Sequence, residues 1–64
     1  MAAKIEPTNF NFNFEQRSNE WAWSIYHPYD SRLLQSGREA TKAQANVAVI
    51  LACREEAKRL NSDD

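Results

Sequence analysis

His27, Asp30 and Cys53 are the one set of side chains in this 64-residue chain from which a nucleophile, a base and an orienting carboxylate could be assembled. In such chemistry a thiolate attacks, an imidazole takes its proton and an acid holds the ring, so the thiol must lie open beside the histidine. The sequence places them otherwise. Cys53 ends an apolar helical run and His27 precedes Pro28 in a loop, which reads as a buried thiol and a loop imidazole. One histidine and one cysteine cannot supply the four ligands of a usual zinc site, and one glycine cannot build a phosphate-cradling loop. Glu55 and Glu56 read as a solvated helix face. A chain of this size also has little room for a pocket of ~300 Å³ or more, the range of small-molecule sites. The expectation is a non-enzymatic protein with no catalytic residues, no metal and no cofactor.

The elements that would position these residues follow from periodicity. Asn9 to Phe14 alternates Asn and Phe, and Trp21-Ala22-Trp23-Ser24-Ile25-Tyr26 alternates again, so five of the seven aromatics fall on two lines of period two. Phe10, Phe12 and Phe14 share one strand face with Asn9, Asn11 and Asn13 opposite. In the second strand Trp21, Trp23 and Ile25 oppose Glu20, Ala22, Ser24 and Tyr26. Glu15 to Asn19, polar and without glycine, suits a loop of four or five residues. His27 to Ser31 forms a second loop around Pro28. A short third strand, Arg32 to Ser36, is expected to end at Gly37, where the chain can turn at low steric cost.

One long helical pattern follows, from Thr41 to about Leu60. Thr41 and Gln44 have capping-box spacing, Lys58 and Arg59 complement the dipole of the last turn, and Asn61 is a suitable cap. At 100° per residue, Ala43, Asn46, Val47, Ile50, Cys53, Ala57 and Leu60 occupy one sector, with Val49 at its margin, and this is the face expected to cover the aromatics. The predicted fold is α+β: a three-stranded antiparallel sheet, made of a β-hairpin plus a short third strand, packed on one C-terminal α-helix. Residues 1–64 form one small ββ(β)α domain, with a loosely ordered arm over 1–8 and a disordered tail over 62–64.

A domain of this length buries about 60% of the surface its unfolded chain exposes, so it is marginal without a supporting device. A lone cysteine allows no internal disulfide, which leaves oligomerisation. The reverse of the helix carries Ala45, Ala48 and Ala52 at spacings of three and four, with Leu51 and Glu55 beside them. A stripe of small residues lets a second helix approach closely, so these five residues are the expected partner interface, and the protein is expected to be an interaction or regulatory module that self-associates through its helix. Three Phe and two Trp are more bulk than one alanine-rich helix covers, so an exposed aromatic at a partner-binding patch is a further expectation.

The order of the motifs carries a resemblance. Trp-x-Trp-x-Ile in the second strand, an apolar-Ser-Gly segment close to the third, then Thr and an alanine-rich helix looks like the sheet-plus-helix DNA-binding domains of plant ethylene-response factors and the arm-binding domains of tyrosine recombinases, over about Glu20 to Leu60. The resemblance implies an alternative function, nucleic-acid binding, with the outer sheet face in a major groove; strand alternation puts Asn11, Asn13, Ser24 and Tyr26 on that face, and Arg32 on the third strand with Arg17 and Arg38 in the flanking loops would be its cations. The charge argues the other way. Eight basic residues stand against nine acidic ones, for a net charge of −1, and two or three arginines would neutralise few phosphates.

The N-terminus lacks the apolar stretch of a secretory signal, and the longest apolar run, Val47 to Cys53, is far below the ~18 residues of a membrane span. With the lone cysteine, this predicts a cytoplasmic protein that does not enter a membrane.

Overall fold

Alternation, rather than strand propensity, builds the sheet. In the computed structural model, which describes residues 4–62, β1 (Asn11–Arg17), β2 (Glu20–Tyr26) and β3 (Leu33–Glu39) form one antiparallel sheet in the order β1-β2-β3, followed by α1 (Lys42–Asn61). The fold is α+β with a three-stranded sheet and one C-terminal helix. Phe12 pairs with Ile25 and Phe14 with Trp23, while Trp23 pairs with Gly37 and Ile25 with Gln35. Directly opposed residues share a face, so Phe12, Phe14, Trp21, Trp23, Ile25, Gln35, Gly37 and Glu39 look toward the helix.

Three local expectations are corrected. The first connection is a tight two-residue turn, not a loop of four or five: Arg17 pairs with Glu20, and Ser18 takes a positive φ of 45° in place of the missing glycine. The third strand runs through Gly37 to Glu39 instead of stopping there, because Gly37 serves as clearance for Trp23 and not as a turn. Phe10 stands outside β1, and it is buried where Phe12 is not.

The helix begins as the cap predicts: the Thr41 hydroxyl oxygen accepts from the Gln44 amide at 3.1 Å. Its buried face is only partly the one expected: Cys53 and Ala57 are buried as expected, with Val49 of the margin and Leu60 packed beside them, but the first half of the face is rotated. Ala45, Val49, Ala52, Cys53, Glu56 and Ala57 are buried, whereas Ala43, Asn46, Val47 and Ile50 are exposed. The physical reason is volume. Trp23, Ile25 and Phe10 already fill much of the space over the sheet, and a helix can close on such bulk mainly through small side chains, so Ala45, Ala52 and Ala57 turn inward with Val49 the one branched aliphatic among them, while Val47, Ile50 and Leu51 turn out. α1 lies across β2 and β3 and against the arm, and has at most marginal contact with β1.

The arm expected to be loose is tied down over its described part. Ile5 N–H donates to Asn61 Oδ1 at 3.0 Å and Asn61 Nδ2 donates back to the Ile5 carbonyl at 2.8 Å. A 3₁₀ turn, Pro7–Asn9, then leads Phe10 into the core. Of the expected tail, Ser62 caps α1, its N–H donating to the Lys58 carbonyl at 3.1 Å; residues 63 and 64, like 1–3, lie outside the described residues.

Candidate interaction surfaces

The loop after β2 shows what His27 and Asp30 do. His27 N–H and C=O close it by bonding Arg32 and Ser31, and His27 Nδ1 accepts from the Tyr29 amide at 3.1 Å. Asp30 Oδ1 accepts from the Arg32 amide at 2.9 Å, and that bond holds the Asp30 carboxyl below its ordinary range. Cys53 is buried in the core and makes no hydrogen bond among the described residues; burial pushes its thiol up, away from thiolate. Imidazole and carboxylate are thus engaged in turning a loop and the thiol is a core side chain. No group of three or more His, Cys, Asp or Glu side chains is placed to hold a metal ion among the described residues.

The outer sheet face presents Asn11, Asn13, Glu15 and Arg17 from β1, Glu20, Ala22, Ser24 and Tyr26 from β2, and Ser36 and Arg38 from β3. Its centre is a shallow depression of about 220 Å³ floored by Ala22, Ser24 and Ser36. The arginines that would meet phosphate each have a carboxylate partner: Arg17 with Glu15 at 3.0 Å, Arg38 with Glu20 at 3.3 Å, and Arg32 with Asp30 at 3.9 Å. Asn11, Asn13, Ser24 and Tyr26 do share this face as expected, and Arg17 and Arg38 reach it from strands rather than loops. Arg32 lies beyond it in the loop.

The helix-borne interface is redistributed by the rotation of α1. Ala45 is 0% and Ala52 6% exposed, so these two belong to the core and are closed to a second helix, and Ala48 is half-buried against the core. Leu51 and Glu55 remain outside. What the helix offers is an aliphatic ridge in which Val47, Ile50 and Leu51 are 55%, 46% and 56% exposed. Against the expectation of little room for a concavity of ~300 Å³ or more, a half-open groove of about 570 Å³, lined by Pro7, Phe10, Phe12, Ile50 and Arg54 among others, runs between this ridge and the arm, because the arm meets the helix without closing over it. A second, of about 510 Å³, lies on its other flank beside Glu39, Ala43 and Ala48. The exposed aromatic expected from the excess of bulk is Phe12, at 55%.

One polar cluster had no sign in the sequence beyond an ordinary carboxylate on a helix. Glu56 is buried at 7% exposure, accepts from Gln35 Nε2 at 2.8 Å, and pairs with Arg59 at 2.7 Å. Burial pushes its carboxyl up, but the Gln35 amide and the Arg59 guanidinium outweigh burial and hold it below the ordinary range. No helix among the described residues is long and apolar enough to cross a membrane. Compared with known proteins, the chain matches no family model, and no curated protein or solved structure is significantly similar to it.

Proposed function

We propose that the protein is a small non-enzymatic interaction module that docks on another protein through the outward ridge of α1. The observation that supports this is the ridge itself: Val47, Ile50 and Leu51, at i, i+3 and i+4, are all about half exposed on one helix face. Isolated exposed aliphatics are ordinary on protein surfaces. Three adjacent ones at helical spacing, with a groove on either side, have the form by which a helix is read by an apolar groove or by a second helix. The cytoplasm, where a free buried thiol persists, is the compartment that fits this reading.

The test is site-specific photo-crosslinking. A photoreactive residue at position 51 should give one discrete protein adduct in extract of the cell of origin, competed by excess unlabelled protein and lost in Val47→Asp. The same probe at Tyr26 on the outer sheet face should give none. Adducts from position 26 but not from 51 would overturn the assignment.

A further inference from the structure

A second surface lacks a partner, and its own sequence specifies what fits it. β1 is an edge strand, and all seven of its residues pair with β2 in unbroken register, with no bulge or proline along it; its two charges, Glu15 and Arg17, lie toward one end and pair with each other at 3.0 Å. Natural sheets usually blunt such an edge with one of these devices. The opposite edge is blunted: β3 has a register shift opposite Ile25 and Tyr26, and α1 lies across it.

The same strand is uncovered beneath. α1 stops short of β1, so Phe12 remains 55% exposed on the helix side, beside Phe14, with the two rings edge to face at 5.5 Å. β1 therefore has unpaired backbone groups in the plane of the sheet and, below it, an exposed Phe12 beside a half-buried Phe14. One added strand would satisfy both, and its side chains would have to be apolar on the helix side and small or amide on the other.

β1 is itself such a strand. In an antiparallel pair, opposed residues share a face, and a two-fold axis at residue i opposes i−1 to i+1. With the axis at Asn13, each Phe12 faces the Phe14 of the other copy, Asn13 faces Asn13, and Asn11 faces Glu15, an amide against a carboxylate. No like charges meet. An axis at Glu15 would oppose two carboxylates, and an axis at Phe14 would set each Phe12 against Gln16. An axis at Phe12 would also avoid like charges, but it engages only residues 11–13 of β1 and sets Phe14 against Phe10, which lies outside the strand in the core. The axis at Asn13 is thus the register that sets Phe12 against Phe14 within β1 with no like charges opposed.

We propose that a second copy of the chain pairs antiparallel along the free edge of β1, with its two-fold axis at Asn13, to give a continuous six-stranded sheet. Both helices then lie on one face of that sheet, four phenylalanine rings fill the space between them, and the two aliphatic ridges are presented on the same side. The dimer stands or falls independently of what the ridge binds.

Sedimentation equilibrium at about 100 μM, a concentration chosen to populate a modest dimer, should give about 15 kDa, twice the 7.4 kDa of the chain. Phe12→Lys puts an unpaired charge at an exposed position in the proposed seam and should raise the dimer dissociation constant by about tenfold or more, with circular dichroism unchanged. Leu51→Arg should leave it as it is. Register is read by cysteine pairing in a Cys53→Ser background, because opposed Cα atoms in an antiparallel pair stand ~4.5–5.5 Å apart, within disulfide range. Asn13→Cys should oxidise to a covalent dimer by itself, whereas Asn11→Cys and Glu15→Cys should do so only when mixed. This ladder also serves if Phe12→Lys fails to fold. A 7.4 kDa species, open-ended aggregation in place of a dimer, cross-linking without register preference, or a dimer abolished by Leu51→Arg and indifferent to Phe12→Lys would each overturn the proposal.

Discussion

The indole of Trp23 lies directly over Gly37 on the neighbouring strand: a Cβ added to Gly37 would stand 2.7 Å from the ring carbon Cζ2 and 2.9 Å from Nε1. The ring reaches past the glycine toward Glu39, with Nε1 donating to Oε2 at 3.4 Å. A strand glycine carries an entropic penalty of about 0.5–1 kcal/mol that alanine would remove. Overpacking a rigid core ring costs about 1–3 kcal/mol, so the steric term wins.

Gly37→Ala is accordingly expected to destabilise the fold by about 1–2 kcal/mol, measured as a lowered denaturant midpoint at unchanged slope. Trp23→Ala leaves a cavity instead and should cost about 3–5 kcal/mol, comparable to the whole stability of a domain this small. Trp23→Leu should relieve Gly37→Ala, so the double variant loses less than the sum of the singles. Strict additivity would mean that the two residues do not touch.

The Glu56 carboxyl predicts the acid limb of the stability curve. Its folded value lies below the ordinary 4.5, because Gln35 and Arg59 outweigh burial. A carboxyl depressed on folding contributes stability that is complete above the unfolded value and is lost as pH falls through the folded one. The wild-type midpoint should therefore decline from about pH 4.5 downward, and Glu56→Gln should flatten that decline while lowering stability at neutral pH. An acid limb identical in the two proteins would show that the cluster is not coupled to folding.

These features differ in how far sequence announces them. The Thr41 cap and the two alternating runs were legible because each is a local rule: a hydroxyl three residues before a free amide, a side-chain period of two. The helix face is only half legible, because alanine is both the strongest helix former and the smallest side chain that packs, so Ala45 and Ala52 look alike on a solvated face and in a crowded core. Hydrophobicity alone would turn Val47 and Ile50 inward, yet Trp23, Ile25 and Phe10 take that volume. Ser18 carried no turn signal, since its positive φ is imposed by the register of the strands around it. The Asn61 clamp on Ile5 joins residues 56 apart and has no local signature.

That clamp is expected to hold the arm. Asn61→Leu removes both hydrogen bonds and leaves the Ile5 amide and carbonyl, part-buried, without partners, at a loss of about 1–3 kcal/mol. Because the arm forms one wall of the groove beside Ile50, amide exchange should accelerate over Ile5 to Phe10 well before it does in β2. Uniform acceleration over the whole chain would mean that the arm and the core open as one unit.

The orientation of α1 can be decided with two substitutions of the same kind. Ala45 is fully buried and Leu51 is 56% exposed. Arginine at position 45 would force a long charged side chain between the helix and the sheet, combining overpacking with an unpaired buried charge, so Ala45→Arg should unfold a domain holding only about 3–5 kcal/mol. Leu51→Arg exchanges one solvent-facing side chain for another and should change stability by no more than about 0.5 kcal/mol. Thermal melts followed by circular dichroism compare them directly. If the helix were turned the other way, with Val47 and Ile50 inward and the alanine stripe outward, the order would reverse: Ala45→Arg would melt like the parent protein, and the adjacent Ile50→Arg would be the variant that fails to fold.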